Sequence, residues 1–525
     1  MTRGLKIKMS ASREKKQRQS DPVGGLTQKQ IQDRKEAQIK KRNMTIYTII
    51  GVIVAVLVVA LLVWHSGFFQ SRTTAMTVDG RNYTPGEVSY YYNSVKQQNA
   101  YYLAMMGMYD TSKSAQEQYY DEEAGTTYYD YFMDTAKSQM IQVKTLADAA
   151  KEEGMTLSED SQASVESSIE SYKSQATQSG YPSLNSFLKA YFGQYMDQKV
   201  LRSCLEESYL AQQYYQAHSD SLTYDDSALQ SYYEENKDSL DTFDYRSIYF
   251  SGAAASTTDE DGNTVEATEE EKTAAMDAAK EKADALLAQV QGGESFDNAA
   301  NDALADDSNL TYDGQQSVVG SSLNSAIKTW LTDAARQPGD VDVVESEGNG
   351  YYVVQFDGRA LDEESIGQAD VRHILVKAEV AEDAEEPTDE AMEAAKEKAQ
   401  SILDEFEAGD KTAASFGVLA NEYSEDPGSN TTGGLYEDVT RSSSYFTGFL
   451  DWIFADGRKA GDTGLVENTQ DDQWGWHVMY LDTVDQVQWK YTAENALRSS
   501  DMSAWVEEMT SGIEAVDGSG LKYVE

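Results

Sequence analysis

The stretch "VRHILV", residues 371–376, alternates like a strand, placing Val371, His373 and Leu375 on one face and Arg372, Ile374 and Val376 on the other. His373 is one of only four histidines in 525 residues, so an imidazole inside an apolar run calls for a chemical explanation. A second histidine, His477, lies in "GWHVMY", another strand-like run. An internal repeat gives both their context. "MDAAKEKADALL" (276–287) matches "MEAAKEKAQSIL" (392–403), and "WLTDAARQPGDVDVVE" (330–345) matches "WIFADGRKAGDTGLVE" (452–467). "GYYVVQFD" (350–357) matches "GWHVMYLD" (475–482), and "YRSIYF" (245–250) matches "VRHILV". Across the two copies His373 replaces Ser247 and His477 replaces Tyr352. Aligning "SFDNAANDALAD" with "SFGVLANEYSED" sets Asp426 opposite Asp306, so the carboxylate is expected in both copies. One histidine alone would suit a satisfied core position. Two at corresponding strand positions of one module, beside an aspartate, point to function.

Each repeat reads as strand, long helix, helix, loop, shorter helix and strands, which predicts a compact α+β module of about 120 residues. Acidic stretches, "TTDEDGNTVEATEEE" and "EVAEDAEEPTDE", separate the first strand of each unit from its helix. The first fails as a calcium loop, because a frame that puts Gly262 at the glycine position sets Thr257 and Thr268 where acidic ligands belong. A hairpin turning at Asp261-Gly262 is expected instead. The single cysteine, Cys204, excludes an intramolecular disulfide and a cysteine-rich metal site, and its helical surroundings suit packing. No metal or other cofactor is expected.

Ahead of the repeats, "TVDGRNYTPGEVSYYYNSVKQQ" predicts a strand, a turn at Asp79-Gly80 and a helix entered at Thr84-Pro85. Helical patterning then runs to about residue 232, with dense tyrosine that suits either helix packing or an adaptable surface for unfolded chains. Charge divides the chain. Residues 1–44 hold 13 Lys/Arg against 4 Asp/Glu, leaving 30 basic and 86 acidic residues for the remainder of a chain whose net charge is −47. Between them, Thr45 to Trp64 carries no charge. Twenty helical residues at ~1.5 Å each span the ~30 Å hydrocarbon layer. Lys40, Lys41 and Arg42 mark the cytoplasmic end. A cleaved signal peptide is the competing reading, but its leader and apolar core would be unusually long and "HSGFFQSRTTAM" offers no clear cleavage site. The expected localisation is a single-pass cell-membrane protein with an extracytoplasmic C-terminal portion. The basic tail reads as a topology signal, not a nucleic-acid site.

"RHILV", "YSEDPGSNTTGG", "FLDWIF", "GRKAGDTGLVE" and "GWHVMY", in this order and spacing, resemble the parvulin class of peptidyl-prolyl cis/trans isomerases. The resemblance is close over 366–486 and weaker over 233–365, and the whole plan resembles extracytoplasmic foldases of the PrsA/SurA type. It implies an α+β fold in which a four-stranded antiparallel sheet is surrounded by helices. His373 would lie on the first strand with His477 beside it, and Asp426 matches the family's active-site Asp/Cys position. Phe449 matches the aromatic floor of the proline pocket, with Phe454 behind it. Tyr445 stands where Met or Leu is usual, in a segment one residue longer than the common pattern, and Trp474 complements the pocket. His373, Asp426 and His477 are therefore the expected catalytic residues, and Tyr445, Phe449, Phe454 and Trp474 the expected substrate-binding ones.

The expected organisation is a basic tail (1–44), transmembrane helix (45–64), linker (65–76), helical chaperone domain (77–232), degenerate parvulin-like domain (233–365), rotamase domain (366–486) and a C-terminal helix and strand (487–525) returning to the chaperone domain. The resemblance implies isomerisation of X-Pro bonds in unfolded or partly folded exported proteins, with lipid contact through 45–64. A binding chaperone with non-catalytic parvulin scaffolds is the alternative, and an envelope structural protein a third reading.

Overall fold

The computed structural model describes residues 28–65, 67–258, 264–307, 310–381, 384–470 and 473–524. The expected Asp261-Gly262 turn and residues 1–27 of the basic tail lie outside them. The chain forms two compact units, Met1–Ser221 with Ala504–Glu525, and Leu222–Ser503.

In the first unit one 38-residue helix, Gln28–His65, carries both the end of the basic segment and the whole charge-free run. Its apolar side chains are exposed along its length, and it is long and apolar enough to cross a membrane. Strands Met76–Val78 and Arg81–Tyr83 form a hairpin. Asp79 (φ 43°) and Gly80 (φ 75°) both take the left-handed conformation that a tight two-residue hairpin turn demands. Thr84 then caps the helix Pro85–Met105 in a reciprocal capping box with Glu87. The tyrosines divide by position: Tyr83, Tyr91 and Tyr92 are fully buried, whereas Tyr101, Tyr102, Tyr119 and Tyr120 are exposed. Cys204 is buried, and burial raises its thiol pKa, which keeps it the inert packing residue its surroundings suggested.

The strand expected in the C-terminal segment does not lie in the terminal "LKYV", which contains a single helical turn, Leu521–Tyr523. The strand is Ala515–Asp517, paired antiparallel with Met76–Val78. Gly518 and Gly520 continue that contact through hydrogen bonds from their amides to Ala75 O (2.9 Å) and Thr74 O (2.8 Å). A Cβ at Gly518 would sit 2.3 Å from Thr74 O, so only glycine lets the backbone pass there before it turns.

The second unit contains the two modules. In the first, strand β1 (Asp241–Ser251) leads to helices α1 (Glu269–Gln291) and α2 (Phe296–Asp306), strand β2 (Gln316–Val319), helix α3 (Ser325–Leu331) and strands β3 (Val341–Ser346) and β4 (Gly350–Leu361). The second repeats this order with β5 (Ile366–Lys377), α4 (Asp389–Ala408), α5 (Ala413–Tyr423), β6 (Leu435–Thr440), α6 (Thr447–Ile453), β7 (Thr463–Asn468) and β8 (Gly475–Val487). Both sheets are antiparallel and four-stranded, ordered β2-β1-β4-β3 and β6-β5-β8-β7.

Repeated residues explain the repeated fold. Gly350 (φ 152°) and Gly475 (φ 154°) open the last strand of each sheet, where a Cβ would lie 2.2 Å from the carbonyl of Phe250 or Val376. Arg336 and Arg458 each stack 4.1 Å over Trp330 or Trp452 and donate to that tryptophan's carbonyl. The two faces of the second sheet have different jobs. Ile374, Val376, Val478 and Tyr480 pack against α4 and α5 through Ala395, Ala399, Phe406 and Phe416. Val371, Met479 and Leu481 pack against α6 through Phe449 and Ile453. By the two-residue period of a strand, His373 and His477 project on the α6 side.

Candidate active site

His373 is held on β5 by a hydrogen bond from its amide to Gly434 O (2.9 Å). That approach requires glycine, since a Cβ at Gly434 (φ 69°) would lie 2.3 Å from His373 O. The loop carrying Asp426 is fixed to the same strand. Helix α5 ends at Tyr423, and Ser424 Oγ accepts from the amides of Leu375 (3.2 Å) and Asp426 (3.4 Å), while Glu425 N donates to Leu375 O. Pro427 then disfavours helical backbone at Asp426.

These constraints bring His373, Asp426 and His477, all buried, into one network. His373 Nδ1 lies 2.9 Å from His477 Nδ1, and His373 Nε2 lies 3.1 Å from Asp426 Oδ2. Ser429 Oγ (2.5 Å) and the Tyr436 hydroxyl (2.9 Å) also donate to Oδ2, and Gly428 N donates to Oδ1 (3.2 Å). The far end is fixed by Asn468. Its Oδ1 accepts from Gln470 N (2.9 Å), which turns its amide nitrogen toward His477 Nε2 at 3.5 Å.

The proton positions follow from these partners. Asn468 donates to His477 Nε2, so the His477 proton is on Nδ1 and is donated to an unprotonated His373 Nδ1. His373 consequently carries its proton on Nε2 and donates it to Asp426. Electrostatics agree. The hydrogen bond from His373, followed by those from Ser429 and Tyr436, holds the Asp426 carboxyl well below the usual carboxylate range despite its burial. Burial, then the neighbouring His373, lowers the His477 pKa to about 3, so this imidazole is neutral at physiological pH. Burial, then the hydrogen bond to Asp426, raises the Tyr436 pKa and keeps its hydroxyl a donor.

The network forms one side of a cavity of about 190 Å³. Aromatic rings form much of the rest: Tyr436 stacks on His373 (5.0 Å, 18°), and Phe449 meets it edge-on (5.5 Å, 89°). Tyr445 packs on both Tyr436 (5.0 Å) and Phe449 (5.1 Å), while Phe446 lies 5.0 Å from His477. Neutral polar side chains of Ser444, Asn468, Gln470 and Gln473 complete the lining. The arrangement offers an apolar, ring-shaped recess beside a fixed set of donors and acceptors.

Two expected pocket residues do not line it. Phe454 is buried in the core with Phe449, where the Arg441 guanidinium lies 5.0 Å over its ring. Trp474 packs with Trp476 on the α4 side of the sheet, because residues two apart share a face. Gln473 reaches the cavity instead. Sequence pattern alone does not mark Ser429, Tyr436, Phe446, Asn468 or Gln470. Ser429 stands within "YSEDPGSNTTGG", but nothing in linear spacing distinguishes its inward hydroxyl from neighbouring ones.

A family model for the PPIC-type PPIase domain matches residues 258–360 and again 358–484. The chain carries two parvulin-type rotamase domains. It is 27% identical over 215 residues to the chaperone SurA of Alkalilimnicola ehrlichii, covering 40% of this chain and 45% of that one. It is 30% identical over 144 residues to the foldase protein PrsA of Clostridium botulinum, covering 27% of this chain and 34% of that one. The alignments thus span less than half the length of these curated relatives. Among solved structures, peptidylprolyl isomerase PrsA from Bacillus anthracis aligns with 28% of this chain and 58% of its own at 17% identity, with a TM-score of 0.18.

Among the described residues, the first rotamase domain has no such network. Ser247 faces Val354 across the β1–β4 ladder, and the Tyr352 hydroxyl accepts from Asn324 (3.1 Å) with its ring 4.6 Å from Tyr249. Asp306 is not the counterpart of Asp426 that alignment suggested. Helix α2 runs through Asp306 and leaves it exposed, whereas α5 stops three aligned positions earlier. A capping Ser424 and a following proline produce the difference, and residues 304–307 have neither at the aligned positions.

Proposed function

We propose that this protein is a membrane-anchored extracytoplasmic foldase whose second rotamase domain isomerises X-Pro bonds in exported chains. The carrying observation is the saturated His477–His373–Asp426 network beneath an aromatic recess, present in that domain and replaced in the other. Rotation about a prolyl bond breaks amide resonance, with a barrier of ~20 kcal/mol, but makes no new bond. No nucleophile is needed. Accordingly, three side-chain donors orient the Asp426 carboxylate toward field and positioning chemistry. The ring recess holds the pyrrolidine while the preceding carbonyl turns. Removal from water favours the twisted amide, which has less charge separation than the planar one, and fixed dipoles stabilise it preferentially. A thousandfold acceleration requires only about 4 kcal/mol. The Gln28–His65 helix supplies the anchor, with its basic end cytoplasmic.

The test is proline-peptide exchange by the full chain in detergent. Wild type should accelerate it, His477→Ala and Asp426→Ala should each lose at least about tenfold, and the exposed Asp306→Ala should retain wild-type turnover. The variants are compared at matched folded fraction, because unpairing a buried network also destabilises it. Wild-type turnover in a folded His477→Ala protein would sink the catalytic reading. The binding-chaperone reading would then lead, favoured by Tyr445, whose ring narrows the recess against Tyr436 and Phe449.

A further inference from the structure

We propose that Tyr436 is a positioning residue of the second rotamase domain, in which one rigid side chain joins the wall of the proline recess to the carboxylate that orients His373. This rests on the isomerase reading above and adds a residue to it. Tyr436 lies on the edge strand β6, opposite Val371 at a register shift in the β5–β6 ladder. Its ring and its hydroxyl serve different neighbours. The ring stacks flat on His373 and packs against Tyr445, both of which line the recess. The hydroxyl, 2.9 Å from Asp426 Oδ2, shares that oxygen with Ser429 and His373.

A phenol has two soft torsions, and its oxygen lies in the ring plane. Any ring tilt caused by an occupant of the recess must therefore move the hydroxyl relative to Oδ2. The acceptor oxygen already holds two other donors, so losing the phenol shifts the carboxylate toward Ser429 and changes the His373 hydrogen bond. Burial and the adjacent carboxylate keep the hydroxyl protonated, so its role as donor is fixed. The ladder pair Val371–Tyr436 corresponds to Tyr245–Gln316 in the first domain, which also lacks the histidine pair. The phenol thus occurs where the network occurs.

The test uses the full chain in detergent, with Tyr436→Phe removing only the hydroxyl and Tyr436→Leu removing the ring as well. NMR exchange on an alanyl-proline peptide gives kcat and KM separately. Labelling the four histidines with nitrogen-15 follows the His373 Nε2 proton. Tyr436→Phe should lower kcat about five- to tenfold with KM within about twofold, and should speed solvent exchange of the His373 proton at least about fivefold. Tyr436→Leu should raise KM in addition. Wild-type kcat and proton exchange in Tyr436→Phe would reduce Tyr436 to a wall and overturn the proposal. Equal losses in both variants with unchanged proton exchange would also overturn it, since the effect would then be general to the fold. If wild type shows no turnover, the isomerase reading falls, and the exchange measurement alone decides whether Tyr436 holds the network.

Discussion

His477 shows how a side chain of ordinary type becomes unusual through its surroundings. It is 4% exposed, receives a hydrogen bond at Nε2 and gives one from Nδ1. Its folded pKa of about 3 lies below the 6.5 of a free imidazole. The unfolded chain therefore binds a proton that the native site refuses, and stability contributed by His477 is complete above pH 6.5 and declines as pH falls toward 3. From pH 7 to pH 5 the decline should be about 2 kcal/mol. Amide exchange in β5 and β8 should record it, and His477→Gln should abolish that part of the slope. A pH-independent difference between wild type and variant would mean that the folded imidazole takes up its proton as the unfolded one does. Asp426 acts in the same direction at lower pH: its depressed pKa gives stability that is present above the ordinary carboxylate range and lost below it.

At the scale of elements, the site depends on backbone approach as much as on side chains. The loop between α5 and β6 can lie against β5 because Gly433 and Gly434 both take positive φ, and Gly434 leaves no room for a Cβ. Gly457 has a similar φ of 72° but open space around it. Alanine at either position meets the same conformational penalty of about 1 kcal/mol. Only at Gly434 does it also collide with a strand carbonyl. Gly434→Ala should therefore destabilise the second rotamase domain at least about 2 kcal/mol more than Gly457→Ala, as read by amide exchange in β5. It should also separate His373 from Asp426. Equal effects of the two substitutions would show that the loop can retreat without loss.

For the molecule as a whole, the internal duplication has kept one fold and divided its chemistry. The sheets share strand order, opening glycines and Trp–Arg clamps, whereas the polar network exists in one. The charge distribution separates the chain on a larger scale, with a basic segment before the apolar run and 86 acidic against 30 basic residues after residue 44. Removing residues 1–64 should give a protein that stays in solution when membranes are sedimented after a high-salt wash. Continued sedimentation with the membranes would show that the Gln28–His65 helix is not the sole attachment.

Local pattern by itself determined the repeat, the strand carrying His373, the Thr84 helix start and the Asp79-Gly80 turn, because periodicity, capping and turn chemistry act over a few residues. It also marked the two histidines as odd within apolar strands. Tertiary structure decided which side chains meet. Sheet pairing brings His373 to a residue 104 positions away, and a helix that stops three aligned positions early turns Asp426 inward while Asp306 stays exposed. It also decided that Gln473 and not Trp474 reaches the recess, and that Ser429, Tyr436 and Asn468 complete the network. Hydrogen bonding depends on direction and on distances of a few tenths of an ångström. Those quantities exist only once the strands have paired and the loops have closed on them.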